Sequence, residues 1–166
     1  MFNIKKADII DIPLIRQLTF EVWPQTYANI LTRQQIDYML EMMYSEASLK
    51  KQIAEGSQFI FIYDETKPVG FASYQEIKPT KWKLHKIYVL ISQQGKGTGK
   101  FMIDHIIDQI QSRGATSLEL QVNINNKAKG FYEKLGFRER ELINLDIGNG
   151  FFMNDYVLEK ELRPEV

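Results

Sequence analysis

Three glycines alternate with other residues in the stretch Gln94–Lys100, which lies between an apolar run and a long amphipathic run. Glycine lets the backbone turn tightly, and a helix that begins at such a turn presents unpaired backbone N–H groups. The positive end of the helix dipole adds to these donors, so phosphate binds readily there. The stretch therefore predicts a ligand that carries phosphate: a dinucleotide, a nucleoside triphosphate or another cofactor. A tight turn that binds nothing is the alternative.

The two commonest phosphate-binding patterns do not fit this stretch. The Walker A pattern requires glycine and then serine or threonine where the chain has Gln94 and Phe101. The dinucleotide pattern G-x-G-x-x-G fits Gly95 and Gly97 but meets Lys100 at its third glycine. The stretch also comes late in the chain, whereas a dinucleotide loop belongs to an opening β-α-β unit. A nucleotide-binding module remains a hypothesis that these mismatches disfavour.

The periodicity of apolar residues predicts the elements that position this loop. Asp11 is expected to cap the first helix, and Thr32 with Gln35 matches a capping box for the second. The order predicts an α/β chain of the α+β type, in which helices pack on a mixed sheet. The predicted elements are strands at 2–6, 58–63, 69–77, 82–90, 117–123, 137–145 and 151–159, and helices at 11–23, 32–44, 45–56, 97–113 and 126–136.

Length, charge and composition restrict the class of protein. The 166 residues predict a single domain over 1–166, and 44% hydrophobic residues suffice for a core. The 21 basic and 21 acidic residues balance, which argues against a nucleic-acid partner. The absence of cysteine excludes disulfides, thiolate metal sites and a cysteine nucleophile. The beginning of the chain does not resemble a signal peptide, and no apolar run reaches the roughly 18 residues of a membrane span. We therefore expect a cytoplasmic protein with no membrane partner and no metal site.

Two motifs in this order resemble those of the GCN5-related N-acetyltransferases (GNAT). Gln94-Gly95-Lys96-Gly97-Thr98-Gly99 is similar to the family signature [QR]-x-x-G-x-[GA], and "NNKAKGFYEKLGF" at 125–137 is similar to its second signature. One predicted helix and one predicted strand separate them. The resemblance covers about residues 58–158, while 1–57 match only as a variable helical segment. The stretches "KIYVL" and "NDYVLEKEL" also resemble the PaiA-type bacterial polyamine acetyltransferases.

The resemblance implies a central, mostly antiparallel twisted sheet flanked by helices, with one parallel strand pair that splays apart. Acetyl-coenzyme A, the cosubstrate of the family, would lie between those strands, near 83–90 and 117–123. Its pyrophosphate would rest on the backbone amides of the loop, which Gln94 opens, and its pantetheine arm would pair with the preceding strand. The implied cofactor-binding residues are Ile87, Tyr88, Val89, Gln94, Gly95, Lys96, Gly97, Thr98, Gly99, Lys100, Asn125 and Lys134.

The same resemblance implies the chemistry. Tyr132 occupies the family's tyrosine position, where its phenol would protonate the leaving thiolate; simple packing on the apolar face of its helix is the alternative. His85 and Glu76 are candidates for the base that takes the proton of the attacking amine. Because the chain has no cysteine for an acyl-enzyme, direct attack within a ternary complex is expected.

The first helices are expected to contribute the wall that binds the acceptor. Aromatic side chains and a carboxylate suit a cationic amine, and Glu21, Trp23 and Tyr27 lie there. Polyamines, amino acids, peptides and antibiotic amines all remain open as acceptors, and a homodimer also remains open. A non-catalytic module that binds acyl-coenzyme A on the same fold is the alternative function.

Overall fold

The computed structural model describes residues 1–163, which form seven strands and five α-helices. The strands are β1 Phe2–Lys6, β2 Gln58–Asp64, β3 Lys67–Lys78, β4 Lys81–Val89, β5 Ser117–Asn123, β6 Arg138–Gly148 and β7 Phe151–Glu161. The helices are α1 Ile12–Tyr27, α2 Arg33–Tyr44, α3 Glu46–Ala54, α4 Thr98–Gln111 and α5 Ala128–Lys134.

The strands form one sheet in the order β1-β2-β3-β4-β5-β7-β6. The recorded registers are antiparallel except that of β4 with β5, which is parallel. This confirms the predicted fold class, a mixed and mostly antiparallel sheet with one parallel pair and flanking helices. No helix within residues 1–163 combines the length and the apolar character that a membrane crossing requires.

The chain divides into two compact units. The first, unit 1, comprises residues 1–75 and 86–105, and the second, unit 2, comprises residues 76–85 and 106 onward. The elements β3, β4 and α4 each have residues in both units. The expected single domain over 1–166 therefore stays a prediction.

Unit 1 contains the antiparallel strands β1 and β2, β3 as far as Gln75, and the helices α1 to α3. Strand β2 is buried over Phe59–Ile62, as its continuous apolar run predicts. The hydroxyl of Thr32 accepts the backbone N–H of Gln35 at 3.1 Å, so Thr32 caps α2 as predicted.

Two expectations for α1 were wrong. Asp11 makes no side-chain cap bond; instead, Asp8 caps a short 3-10 helix at Ile9–Asp11 that leads into α1. The helix also continues past its expected end at Trp23 to Tyr27, with Pro24 inside it. Proline removes one helical N–H, and the carbonyl left without that donor belongs to Phe20, which is an exposed residue.

Unit 2 is built around β5. Leu118, Leu120 and Val122 alternate along this strand and are 0%, 2% and 5% exposed, as its period of two predicts. Strand β5 pairs in parallel with β4, from Lys81 opposite Ser117 to Leu84 opposite Leu120. Strand β4 continues to Val89 and β5 continues to Asn123, so this recorded pairing ends before either strand does.

Candidate functional site

The glycine loop of unit 1 turns in the manner that anion binding requires. Gly95 and Gly97 have φ angles of +81° and +80°, a left-handed conformation that glycine adopts without steric cost. The first turn of α4 begins at Thr98, and the N–H of Phe101 is the donor to the carbonyl of Gly97 at 3.0 Å. A Cβ atom added to Gly95 or Gly97 would meet nothing within 4 Å. The loop thus offers helix N-terminal amides beside open space, which suits a phosphate group.

A buried polar chain fixes this loop to β2. The hydroxyl of Thr98 donates to Oε1 of Gln93 at 3.1 Å, and Nε2 of Gln93 donates to Oδ2 of Asp64 at 3.2 Å. Thr98 and Gln93 are 2% and 7% exposed. Sequence reasoning missed Gln93, because a glutamine beside a glycine loop gives no signal of burial. These two hydrogen bonds hold the start of α4 in place, so Gln93 positions the loop.

The two lysines of the loop are less available than their spacing suggests. The backbone N–H of Lys96 donates to the carbonyl of Gln93 at 3.3 Å, so this amide turns back into the loop. The ammonium of Lys100 lies 2.6 Å from a carboxylate oxygen of Asp104, one helical turn along α4. Both lysines are exposed. A phosphate group would have to compete with Asp104 for the charge of Lys100.

The end of β4 that precedes the loop packs tightly against β3. A Cβ atom on Gly70 would lie 2.6 Å from the carbonyl oxygen of Tyr88 and 3.3 Å from Cα of Val89. The N–H of Leu90 donates to the carbonyl of Val69 at 2.9 Å. A glycine inside a strand pattern is the sequence signal for such a close approach. Gly70 therefore sets the backbone position of the segment expected to face the pantetheine arm.

An aromatic cluster in unit 1 joins α1 and α2 to β4. The ring of Trp23 lies 4.5 Å from that of Tyr27, 5.5 Å from that of Tyr44 and 5.9 Å from that of Tyr88. The hydroxyls of Tyr27 and Tyr88 are 3.1 Å apart, and Nζ of Lys86 lies 4.9 Å from the centre of the Tyr44 ring. Burial raises the pKa of the Tyr44 phenol, so this hydroxyl stays protonated.

The burial of this aromatic cluster limits how much its residues can contribute to the expected acceptor wall. Trp23 is 1% exposed and Tyr27 is 9% exposed, so both belong mainly to the core. Of the three wall residues, only Glu21 is exposed. Aromatic residues in an amphipathic helix give the same pattern whether they bind a ligand or pack, and here packing dominates.

In unit 2, α5 carries the second motif. Tyr132 is 9% exposed and packs edge-on against Phe131 and Phe137, at 5.2 Å and 5.9 Å between ring centres. Asn125 and Lys134 are exposed. Oδ1 of Asn126 accepts the N–H of Ala128 at 2.9 Å, while Lys127, which directly precedes α5, makes no side-chain cap bond.

The two candidate bases also lie in unit 2, both on exposed positions. A carboxylate oxygen of Glu76 accepts the N–H of Thr80 at 3.3 Å, across the turn between β3 and β4. This hydrogen bond gives Glu76 a structural role in the turn. His85 lies on β4, one residue past the last recorded pair with β5.

A half-buried polar row crosses the strands of unit 2, and sequence reasoning missed it. Nζ of Lys83 on β4 donates to Oε1 of Gln121 on β5 at 2.6 Å, and Nε2 of Gln121 donates to Oδ2 of Asp155 on β7 at 3.2 Å. Asp155 is only 4% exposed. Burial lowers the pKa of Lys83 and raises that of Asp155, since both charged forms lose hydration. These residues are far apart in the sequence, so only the sheet brings them together.

The loop geometry, the second motif and the parallel pair can be compared with known proteins. The sequence model of the Acetyltransferase (GNAT) domain matches residues 27–156. The chain belongs to the GNAT acetyltransferase family. This confirms the predicted enzyme class, an N-acetyltransferase, and its cosubstrate, acetyl-coenzyme A.

Individual relatives of this GNAT protein act on different amines. It is 30% identical over 99 residues to a [ribosomal protein bS18]-alanine N-acetyltransferase of Haemophilus influenzae, a match that covers 60% of this chain and 67% of that protein. It is 23% identical to a spermidine N(1)-acetyltransferase of Thermoplasma acidophilum, with 96% of each chain covered. Two further relatives are matched over 37% and 56% of their own length.

The fold agrees with a solved structure of the same family. The PaiA N-acetyltransferase of Thermoplasma acidophilum, solved in complex with coenzyme A, superposes with a TM-score of 0.83. The two chains are 23% identical, and the match covers 98% of this chain and 99% of that one. This similarity establishes the shared fold. It does not assign the individual site residues of this GNAT protein.

Proposed function

We propose that this GNAT protein transfers the acetyl group of acetyl-coenzyme A to a primary amine, by direct attack within a ternary complex. The observation that carries the proposal is the loop Gln94–Lys100. It turns through two glycines of positive φ directly before a 14-residue helix, beside space that no protein atom fills. A cosubstrate with a pyrophosphate group fits such a loop.

The proposed cofactor site has two parts in unit 1. The amides of Gly97, Thr98, Gly99 and Lys100 receive the pyrophosphate, because the first N–H groups of a helix have no partner within it. The backbone of Ile87–Val89 pairs with the pantetheine arm, and all three of these residues are partly exposed. Asn125 and Lys134 of unit 2 are proposed as further contacts, on the strength of their motif positions.

The proposed acid is Tyr132. An ordinary phenol has a pKa near ~10 and a thiol near ~8.5, so a phenol can protonate the leaving thiolate after the carbon–sulfur bond breaks. The packing of its ring between Phe131 and Phe137 restricts its orientation, which supports a positioned hydroxyl. His85 and Glu76 are proposed as bases, and the contact of Glu76 with Thr80 favours His85.

The acceptor class rests on the relatives. One acetylates an alanine of a ribosomal protein and another acetylates spermidine, and both of those acceptors are amines. A lysine-like amine has a pKa of ~10.4, so under about 0.1% of it is neutral at pH 7. Whichever amine is used, the enzyme must therefore handle a proton that the amine loses.

An acceptor screen tests this proposal. The protein is mixed with acetyl-coenzyme A and with spermidine, free amino acids or peptides that have a free N-terminus, and thiol release is followed. Turnover with at least one class is expected. Acetyl-coenzyme A at 100 times its dissociation constant should also stabilise the fold by about 2.7 kcal/mol. Stabilisation without turnover would indicate a non-catalytic acyl-coenzyme A module, and failure of both would contradict the proposal.

A further inference from the structure

The row Lys83–Gln121–Asp155 has features that a merely structural ion pair lacks. Lys83 and Asp155 do not pair directly, because the amide of Gln121 stands between them and bonds to each. A lysine amine has up to three donors, and the bond to Gln121 uses one. Burying a carboxylate and an ammonium without a direct contact is costly, so such an arrangement is more typical of functional sites.

The position of the row within unit 2 adds a second argument. Leu84 and Leu120 form the last recorded pair between β4 and β5. Lys83 directly precedes that pair on one strand, and Gln121 directly follows it on the other. The row therefore lies at the end of the parallel pairing, between the two strands where the family resemblance places acetyl-coenzyme A.

The charges around Lys83 come from each neighbouring strand. Glu119 and Asp155 favour its ammonium form, and Arg140 opposes it. Arg140 is itself held by Glu119 at 3.3 Å and by Glu159 at 2.5 Å. On β4 itself, alternation places Lys81 and His85 on the same face. Burial outweighs the two carboxylates, so Lys83 loses its proton more readily than a surface lysine does.

We propose that Lys83, in place of the candidates His85 and Glu76, is the catalytic base that takes the proton of the acceptor amine, with Gln121 and Asp155 as its positioning residues. This inference rests on the proposed acetyl transfer. The amine nitrogen bonds to the acetyl carbon, and the carbon–sulfur bond breaks with its electron pair left on sulfur. The nitrogen passes its surplus proton to the lone pair of neutral Lys83, and Tyr132 protonates the sulfur. Solvent then returns a proton from Lys83 to Tyr132, so the cycle balances.

The decisive test compares two substitutions of Lys83. Lys83→Met cannot titrate, and Lys83→Arg keeps the positive charge but cannot lose its proton at neutral pH. A base role predicts that both lower kcat/KM by about 100-fold at pH 7, with the affinity for acetyl-coenzyme A close to that of wild type. Matched controls are Lys81→Met and Lys81→Arg, at an exposed lysine two residues earlier on the same strand. Wild-type activity in Lys83→Arg would overturn the base role.

The positioning residues give a pH readout that a structural role would not move. In the pH–rate profile, the rate should rise as Lys83 loses its proton, and this increase is the rising limb of the profile. Asp155→Asn removes a negative charge and lowers the pKa of Lys83, so the rising limb should move to lower pH. Gln121→Glu adds a negative charge and should move the limb to higher pH. A limb that stays in place in both variants would contradict the proposal.

A measurement on the wild-type protein covers the case in which the Lys83 variants do not fold. The protein is labelled with ¹³C at lysine Cε, and the lysine signals are followed by NMR against pH. One signal, assigned by its response to Asp155→Asn, should titrate below the others. Uniform lysine titration would overturn the base role. Absence of turnover by wild type in the acceptor screen would instead overturn the acetyl transfer itself, and Lys83 with it.

Discussion

The substitution Gly97→Ala tests the cofactor loop at an exposed glycine. In the free protein, the new Cβ would meet nothing within 4 Å, so it creates no clash. The cost is the positive φ of +80°, which an L-residue adopts at about 1–2 kcal/mol. We therefore expect a modest loss of stability and a folded protein.

The effect on binding should be larger than the effect on folding. The added methyl would occupy the space in which a phosphate approaches the helix N-terminus. A hydrogen bond to a charged group contributes about 1.5–3 kcal/mol, so loss of one such bond weakens acetyl-coenzyme A by at least about 10-fold. Titration calorimetry gives the dissociation constant, and urea unfolding gives the stability.

Gly114→Ala is the matched control. Gly114 has a φ of +86°, a Cβ there would also meet nothing within 4 Å, and it lies just past the other end of α4. Both variants should lose similar stability, and only Gly97→Ala should lose cofactor affinity. Equal cofactor affinity in the two variants would show that the loop does not bind the pyrophosphate.

Three other changes test the packing, the acid and the buried charge. Gly70→Ala should destabilise the fold by about 1–3 kcal/mol in urea unfolding, because its Cβ would press on the carbonyl of Tyr88, whereas Gly130→Ala in α5 should stabilise it by about 0.5–1 kcal/mol. Tyr132→Phe should lower kcat by about 100-fold and leave acetyl-coenzyme A affinity close to wild type. Asp155 has a folded-state pKa above its ordinary 3.8, so its contribution to stability falls as pH rises from about 4, and Asp155→Asn should remove that fall from urea-unfolding curves.

Each of these has an outcome that would contradict it. If Gly70→Ala is as stable as wild type, β3 and β4 can separate without cost. Tyr156→Phe, which removes another phenol of unit 2, is the control for Tyr132; equal rates in the two variants would refute the acid role. For the buried carboxylate, the difference between the wild-type and Asp155→Asn stability curves should change with pH, and a constant difference would refute the argument.

The sequence predicted the elements well because most of them follow from local patterns. The stripe Met102, Ile103, Ile106 and Ile110 of α4 is 0–1% exposed, and β5 alternates as expected. The loop could also be predicted, since only glycine adopts its positive φ at no cost. The end of α1 could not, because whether a helix tolerates Pro24 depends on whether water reaches the carbonyl of Phe20.

What the sequence by itself determined is therefore the fold class, the loop and the family, all carried by residues close together in the chain. What only the tertiary structure decided is which distant side chains share an environment. Gln93 positions the loop because its side chain donates a hydrogen bond to Asp64 of β2. Trp23 belongs to the core because its ring packs beside those of Tyr44 and Tyr88. Lys83, Gln121 and Asp155 look like ordinary surface residues in the sequence. The pairing of three strands buries them together, and that loss of hydration lowers the pKa of Lys83 and raises that of Asp155.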